Sequence, residues 1–272
     1  MAGVRSDSIL DAADLAARLL AAAEFGEVIE ALRQGRAVTV DGAWGSSAAL
    51  VVSALTSVAP SSIVVVLPRE RELDDFTADV ASFGIRRQAA AGAADDRDGK
   101  LVPSILPAWP ALPRELSISD PILGSRLRVV RGFESDSPPR VVVATIPSLL
   151  QPVPSRAERV VASRLVKVGE ELDLDDLIAW LIGRGFERVT ALEVPGEFSI
   201  HGGIVDIFPP DSADPVRIEL FGDEIESIRQ FDVASQRKVR SLDEVAITVL
   251  SPGVEGRRLW VEGQKEQIAG AS

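Results

Sequence analysis

The sequence lacks cysteine and tyrosine, and it contains a single histidine among its 272 residues. The absence of cysteine excludes disulfides, thiolate zinc sites and cysteine nucleophiles, and it is typical of a reducing compartment. The single histidine, His201, is too few for a histidine-rich metal site or for a Ser-His-Asp triad together with a second base. The carboxylates are abundant, but no spacing among them implies metal chemistry. The sequence therefore predicts neither a catalytic centre of these kinds nor a metal site.

Long apolar runs are also missing. No stretch approaches the roughly 18 apolar residues that a membrane-spanning helix requires. The N-terminus has no signal-peptide pattern, because its Ala/Leu-rich stretch is interrupted by Asp14 and Arg18 and reads as an amphipathic helix. We expect a cytoplasmic protein that makes no membrane contact.

Positive charge is in deficit: the formal net charge is −12 and the sequence pI is about 4.7. Nonspecific DNA binding usually depends on a basic stripe, so the chain by itself is a poor candidate for it. An acidic chain is suited to docking on a basic protein surface, and it is equally suited to being merely soluble. What the sequence has in quantity is apolar residues, 46% of the total, enough for the cores of one large or two smaller domains.

Residues 1–154 alternate helical and strand patterns, which predicts an α/β lobe. The predicted strands are Arg36–Asp41, Ser62–Leu67 and Arg140–Thr145. The predicted helices are Asp11–Leu20, Glu24–Gln34 with a break at Gly26 between these two, Ala48–Val58, Glu70–Phe83 and Ile122–Phe133. The uninterrupted apolar run of Ser62–Leu67 is typical of a parallel strand buried on both faces. Gln88–Lys100 predicts a loop, and the proline-rich Leu106–Pro113 predicts an extended segment over the sheet edge.

The loop after the first predicted strand contains Gly42 and Gly45 and leads into a predicted helix. Strand, glycine-containing loop and helix is the context in which phosphate-binding loops occur. Such a loop needs a lysine for the β/γ-phosphates and a Ser or Thr hydroxyl for Mg²⁺. Those two positions hold Ala48 and Ala49 in this sequence. We therefore expect a tight turn that does not bind nucleotide.

Residues 155–250 change to short strand patterns separated by Gly, Pro and Asp turns, which predicts an α+β insert with an antiparallel sheet. The predicted strands are Arg159–Val168, Phe186–Leu192, Gly196–Phe208, Val216–Phe221, Glu224–Phe231 and Val245–Leu250. A helix is predicted at Leu172–Ile182, with Asp173 or Asp175 near its start as the N-cap. Residues 251–272 predict a short helix that begins a return into the first lobe. We interpret the chain as truncated from a larger protein.

The run Val216–Phe221 has a strict period of two. Val216, Ile218 and Leu220 fall on one face of the strand, opposite Arg217, Glu219 and Phe221. An apolar inner row opposite an arginine and a phenylalanine favours a sheet with one partner-binding outer face. A surface ion pair of Arg217 with Glu219 or a cross-strand carboxylate, and packing of Phe221 under a loop, are the alternatives. Asp206 lies between Ile204 and Phe208 on the same strand parity. We therefore expect it to be a structural hydrogen-bond acceptor, not a catalytic acid.

A set of motifs in the same region resembles a known family. They are Gly196–Phe198, His201–Pro209, Pro215–Glu219, Phe221–Ile225 and Ile228–Asp232, with upstream support from Leu112–Pro113, Gly124–Leu127 and Thr145–Gln151. With these motifs the chain resembles the N-terminal module of bacterial transcription-repair coupling factors. That module is homologous to part of the excinuclease subunit UvrB and carries the UvrB interaction domain. The resemblance covers most of residues 36–250.

The resemblance implies a degenerate P-loop helicase-like lobe and a noncatalytic recruiting role. In this family the insert binds UvrA and brings nucleotide excision repair to stalled RNA polymerase. The parent protein would be an ATP-dependent DNA translocase, whose ATP, Mg²⁺, polymerase and DNA sites lie outside this chain. The alternative is a UvrB-like, ATP-dependent damage-processing subunit. Ala48 and Ala49 favour the coupling factor, as does the absence of tyrosine, because UvrB adds a tyrosine-rich hairpin.

The resemblance also implies three partner-binding positions. Two of them match Arg217 and Phe221, which the alternation independently assigns to the outer face. The third holds His201 where the family has arginine. A neutral imidazole donates one hydrogen bond but lacks the fixed charge and the bidentate geometry of a guanidinium. The loss of such a contact costs about 1–3 kcal/mol of binding free energy. We expect either weaker UvrA binding or a different partner surface at this position.

Overall fold

The structure is a computed structural model that describes residues 12–84, 101–111, 117–135, 137–151 and 153–249. The predicted loop Gln88–Lys100, the motif Leu112–Pro113 and the predicted C-terminal helix lie outside these residues. The chain divides into two compact units: unit 1 is Met1–Ala108 with Val129–Leu150, and unit 2 is Trp109–Arg128 with Gln151–Ser272. The domain limits 1–154, 155–250 and 251–272 stay a prediction.

The described part of unit 1 contains a parallel sheet of three strands. These are β1 (Ile63–Leu67), β2 (Ser104–Leu106) and β3 (Val141–Thr145), in the order β1-β3-β2. The central strand β3 is buried along its whole length, as its run of β-branched residues favours. The parallel sheet confirms the predicted α/β class for this unit. Its helicase-like character stays a prediction.

Helices cover this sheet in layers. They are α1 (Ala12–Ala21), α2 (Ala23–Arg33), α3 (Ser46–Thr56), α4 (Leu73–Phe83), α5 (Pro121–Phe133) and α6 (Ile146–Leu150). One face of β3 packs through Val141 and Val143 against α3 and α4. The opposite face packs through Val142 and Ala144 against Val129 of α5. α1 and α2 pack in turn on α3.

Three strand and helix predictions in unit 1 were wrong. Arg36–Asp41 forms no strand, because none of the strands in the described part of the chain pairs with its backbone. The break between helices α1 and α2 is at Ala22, and the predicted break at Gly26 is wrong because Gly26 lies inside α2. β1 is buried on one face only: Val64 and Val66 are 50% and 44% exposed. Apolar composition alone does not reveal whether a second layer covers a strand.

The described part of unit 2 centres on a sheet of six strands. They are β5 (Glu187–Arg188), β6 (Glu197–His201), β7 (Ile204–Ile207), β8 (Val216–Phe221), β9 (Glu224–Phe231) and β10 (Lys238–Leu242), in the order β10-β9-β8-β7-β6-β5. All pairs are antiparallel except β5 with β6. A second, two-stranded ladder joins β4 (Ser163–Lys167) to β11 (Glu244–Thr248). The predicted antiparallel sheet is confirmed.

The inner face of the large sheet supplies the core of unit 2. Phe198, Val205, Ile218 and Ile228 are at most 2% exposed and share one buried cluster with helix α8 (Leu174–Gly183) and the β4–β11 ladder. The predicted N-cap of α8 is confirmed, because the Asp173 side chain accepts a hydrogen bond from the backbone N–H of Asp176. The sheet therefore has one face fixed to a core and one left for other contacts.

Three strand predictions in unit 2 need correction. Residues 156–161 form a helix, α7 (Arg156–Val161), because Ser155 and Glu158 make a capping box at its start, and only Ser163–Lys167 is a strand. The strand predicted at Phe186–Leu192 is limited to two residues. The single strand predicted at Gly196–Phe208 is two antiparallel strands, β6 and β7, joined by a turn at Gly202 and Gly203. β10 was not predicted, since its mostly exposed residues carry no clear alternation. Among the described residues, no helix is long and apolar enough to cross a bilayer.

Candidate functional site

The outer face of β8 carries the predicted binding residues. Val216 and Ile218 are fully buried, Arg217 and Glu219 are half-buried, and Phe221 is 80% exposed. This pattern confirms the alternation predicted for Val216–Glu219, whereas Leu220, at an irregularity in the β8–β9 register, is only partly buried. Arg217 and Phe221 are therefore on the face that the core leaves uncovered.

Arg217 is paired across the sheet with Asp206 of β7. The two residues are register partners, and the pair is bidentate: Nε lies 2.7 Å from Oδ1 and Nη2 lies 2.6 Å from Oδ2 of Asp206. Asp206 is only 6% exposed. The expectation that Asp206 acts as a structural acceptor is confirmed. Its hydrogen bond raises the pKa of Arg217, so the guanidinium keeps its charge throughout the physiological range.

Two further groups surround the Arg217 guanidinium. Its Cζ lies 4.5 Å from the centroid of the Phe231 ring, which is a favourable cation–π distance. The Gln236 Oε1 accepts from Nη2 at 3.3 Å. Within the described residues, the hydrogen bonds of Arg217 use Nε and Nη2 but not Nη1. One edge of the guanidinium thus remains available to a partner.

Next to the Asp206–Arg217 pair, two residues along each strand, a second row of residues crosses the same face. It joins His201, Ile204, Glu219 and Ser227 as successive register partners. Glu219 accepts from the Ser227 hydroxyl at 2.5 Å and pairs with Arg229 at 2.7 Å. The Ser227 hydrogen bond, followed by the Arg229 contacts, lowers the pKa of Glu219. The charges of this row are therefore largely satisfied within the sheet.

His201 and Arg217 both line a cavity of about 260 Å³ on the outer face. Asp206, Phe231 and Gln236 also border it. His201 is exposed, and its Nε2 lies 3.0 Å from the carbonyl oxygen of Thr190. The cavity is smaller than pockets that enclose drug-sized ligands. Its lining combines polar side chains with the apolar Leu192 and Phe231, and its size suits a single side chain.

Phe221 lies outside this cavity, at the end of β8 where the chain turns into β9. It is the register partner of Glu224, across a turn at Gly222 that has a left-handed φ of +64°. The preceding residue, Leu220, donates its N–H to the carbonyl of Gly203 at 2.7 Å, so Phe221 lies near the β6–β7 turn. The structure brings His201 and Arg217 around one cavity and leaves Phe221 as an exposed aromatic at the end of the same face.

Comparison with known proteins shows similarity to one family model and to several related proteins. A family model described as the UvrB interaction domain matches residues 165–251. The transcription-repair-coupling factor of Mycobacterium bovis is 35% identical over 205 residues, covering 73% of this chain and 15% of the relative. The one from Bacillus subtilis is 31% identical over 228 residues, covering 82% of this chain and 18% of the relative. The one from Staphylococcus aureus is 46% identical over 86 residues, covering 32% and 7%.

The chain belongs to the transcription-repair-coupling factor family. It spans less than a fifth of the length of the Mycobacterium and Bacillus relatives, so most of each relative lies outside the matched region. The UvrB interaction domain includes β8, the strand that carries both Arg217 and Phe221. The outer face described above is therefore a surface of that domain.

The glycine loop Gly42–Gly45 leads directly into the start of α3, where two serine hydroxyls are engaged. The Ser47 hydroxyl is tied to the backbone of Trp44, accepting from its N–H at 2.7 Å and donating to its carbonyl at 2.8 Å. The Ser46 hydroxyl donates to the carboxylate of Asp79 at 2.6 Å. Asp79 belongs to α4, and its carboxylate therefore lies beside the N-terminus of α3, the end of a helix that attracts anions.

The four residues predicted to form the degenerate nucleotide loop are Gly42, Gly45, Ala48 and Ala49. Gly42 and Gly45 have left-handed φ values of +78° and +51°, Ala48 is partly buried, and Ala49 is fully buried against the sheet. The backbone N–H groups of Ala48 and Ala49 both donate to the carbonyl of Gly45. That this turn does not bind nucleotide stays a prediction.

Sequence reasoning missed the detailed partners of Arg217. A cross-strand carboxylate was one predicted alternative, but Asp206 was not identified as that carboxylate, because the eight-residue connection Phe208–Pro215 leaves the β7–β8 register undetermined. Gln236 was also missed: it has a left-handed φ of +56° at the end of a turn that the sequence does not mark with glycine. The Asp232 carboxylate stabilises this turn by accepting from the N–H of Ser235.

Proposed function

We propose that this chain is a noncatalytic recruiting module that binds UvrA through the outer face of its six-stranded sheet. The observation that carries the proposal is the combination, within a UvrB interaction domain, of a preordered arginine and an 80% exposed phenylalanine on the uncovered face. Large aromatic and arginine side chains of this kind are the usual hot spots of protein interfaces. The commitment of the Asp206 carboxylate to Arg217 supports a binding role for this face over a catalytic one.

The wider role follows from the relatives. A transcription-repair-coupling factor would use this module to bring UvrA to a stalled RNA polymerase. In such a parent protein, ATP hydrolysis, DNA translocation and polymerase binding would belong to regions beyond the matched residues. This chain would then contribute recruitment alone.

The test of the proposal is titration of the cognate UvrA with the wild-type chain and with Arg217→Ala. We expect Arg217→Ala to weaken binding about 10- to 100-fold, which corresponds to roughly 1.4–2.8 kcal/mol. Arg156→Ala, at an exposed arginine of α7, is the matched control and should bind like the wild type. Melting temperatures of the variants separate a lost contact from a lost fold. Equal binding by Arg217→Ala and the wild type would show that the assigned face is wrong.

His201 has a smaller role in this proposal. Its Nε2 faces the Thr190 carbonyl, so in the tautomer that donates there only Nδ1 remains for a partner, as an acceptor. We expect His201→Ala to weaken UvrA binding less than Arg217→Ala does.

The noncatalytic part of the proposal rests on the glycine loop. The Asp79 carboxylate of α4, which contacts Ser46 at the start of α3, and the alanines at positions 48 and 49 argue against nucleotide binding. Calorimetry of the chain with ATP and Mg²⁺ should show no saturable heat. A measurable ATP affinity that is abolished by Gly45→Ala would favour a UvrB-like, nucleotide-dependent role instead.

A further inference from the structure

The contacts around Arg217 hold its side chain in a single position. Asp206 takes Nε and Nη2 in a bidentate pair at 2.7 and 2.6 Å, and the Phe231 ring lies 4.5 Å from Cζ. Asp206 is itself 6% exposed and Phe231 is 1% exposed, so both are fixed by the body of the unit. A long arginine side chain on an open surface would otherwise sample many rotamers.

The turn after β9 adds a fourth contact at a cost in backbone strain. Gln236 adopts a left-handed φ of +56°, which is rare for a residue with a side chain. Its Nε2 donates to the Val233 carbonyl at 2.8 Å, and this places Oε1 3.3 Å from Nη2 of Arg217. A strained residue whose side chain reaches the same guanidinium supports a role for the turn in placing it.

Holding Nε and Nη2 in this way leaves Nη1 as the guanidinium nitrogen that makes no hydrogen bond to the described residues. We propose that Asp206 is a positioning residue for partner binding: together with Gln236 it orders Arg217 so that Nη1 is presented to an oxygen acceptor of UvrA. The inference rests on the proposed function and adds to it the residues that preorganise the contact. A side chain ordered before binding loses less conformational entropy when the complex forms.

The test is a double-mutant cycle on UvrA affinity. Asp206→Asn keeps the shape of the side chain but turns an amide N–H toward Nη2, so the bidentate pair is lost. We expect it to weaken binding about 3- to 10-fold in the wild-type background, the effect of freeing one long side chain. In the Arg217→Ala background the same substitution should have no further effect on affinity, because it acts only through Arg217.

A second variant covers the case in which Asp206→Asn does not fold. Gln236→Gly removes the side-chain contact and relieves the left-handed strain, so its melting temperature should not fall. We expect it to weaken UvrA binding roughly 2- to 3-fold, again only when Arg217 is present.

The outcomes separate the two claims. If Arg217→Ala binds UvrA as tightly as the wild type does, the proposed function itself fails. If Arg217→Ala weakens binding but Asp206→Asn and Gln236→Gly bind like the wild type, the proposed function stands and the positioning role is refuted. The positioning role is also refuted if Asp206→Asn weakens binding equally in the Arg217→Ala background.

Discussion

The β6–β7 turn depends on a glycine for a reason that can be tested quantitatively. A Cβ added at Gly203 would lie 2.8 Å from the backbone carbonyl oxygen of Leu220, whereas ordinary C···O contacts begin near 3.3 Å. The same two residues share a hydrogen bond, from the Leu220 N–H to the Gly203 carbonyl at 2.7 Å. Gly203→Ala therefore forces β7 and β8 apart at the end of the binding face.

The expected cost of Gly203→Ala is about 2 kcal/mol of unfolding free energy. Overpacking contributes roughly 1–3 kcal/mol and the weakened hydrogen bond about 1 kcal/mol. Reduced freedom of the unfolded chain offsets about 0.4–1 kcal/mol. For a unit of this size, the melting temperature should fall by roughly 6–10 °C.

The assay is differential scanning calorimetry of Gly203→Ala beside a glycine control in the same unit. Gly183, at the end of α8, has no atom within 4 Å of an added Cβ, so Gly183→Ala should melt at or slightly above the wild-type temperature. A Gly203→Ala protein that melts with the wild type would refute the claim that the strand pair leaves no room at this turn.

Three further predictions concern the binding face and the helices. Phe221→Ala should weaken UvrA binding by about 2 kcal/mol without changing the melting temperature, whereas Trp44→Ala, at an 83% exposed aromatic of unit 1, should change neither. Gly26→Ala should stabilise unit 1 by about 1 kcal/mol in urea unfolding, because the glycine lies inside α2 with open space around its Cα; a loss of stability would contradict this. Ser155→Ala should cost about 1 kcal/mol at neutral pH. Its hydrogen bond lowers the pKa of Glu158, so this stabilisation is present above the ordinary glutamate pKa and is lost on acidification. The difference from the wild type should therefore shrink below about pH 4 in urea unfolding, and a constant difference would count against the capping box.

Local patterns in the sequence were sufficient to predict the orientation of the binding face. The period-two run Val216–Phe221 placed Arg217 and Phe221 opposite the core, and the structure has the same burial pattern over Val216–Glu219. The N-cap at Asp173 was equally local. These features depend on residues within one strand or one helical turn, so a single sequence contains them.

Features that depend on non-local pairing were not predictable in the same way. Arg36–Asp41 has the composition of a strand, yet no strand among the described residues pairs with it. β1 resembled a doubly covered strand, but α5 packs over β3 and leaves Val64 and Val66 exposed. The Arg217–Asp206 pair needed the β7–β8 register, which no short turn fixes. Sequence reasoning thus predicted which side of β8 faces away from the core, but it could not resolve how Arg217 is held there.

The most direct measurement of UvrA binding by this face is site-specific photo-crosslinking. Phe221 is replaced by p-benzoyl-phenylalanine, the chain is mixed with UvrA, and the sample is illuminated. The exposed Trp44 of unit 1 carries the same probe in the control. We expect a crosslink to UvrA from position 221 and none from position 44. Crosslinking from position 44 alone, or equally from both positions, would contradict the assignment of the outer face as the UvrA-binding surface.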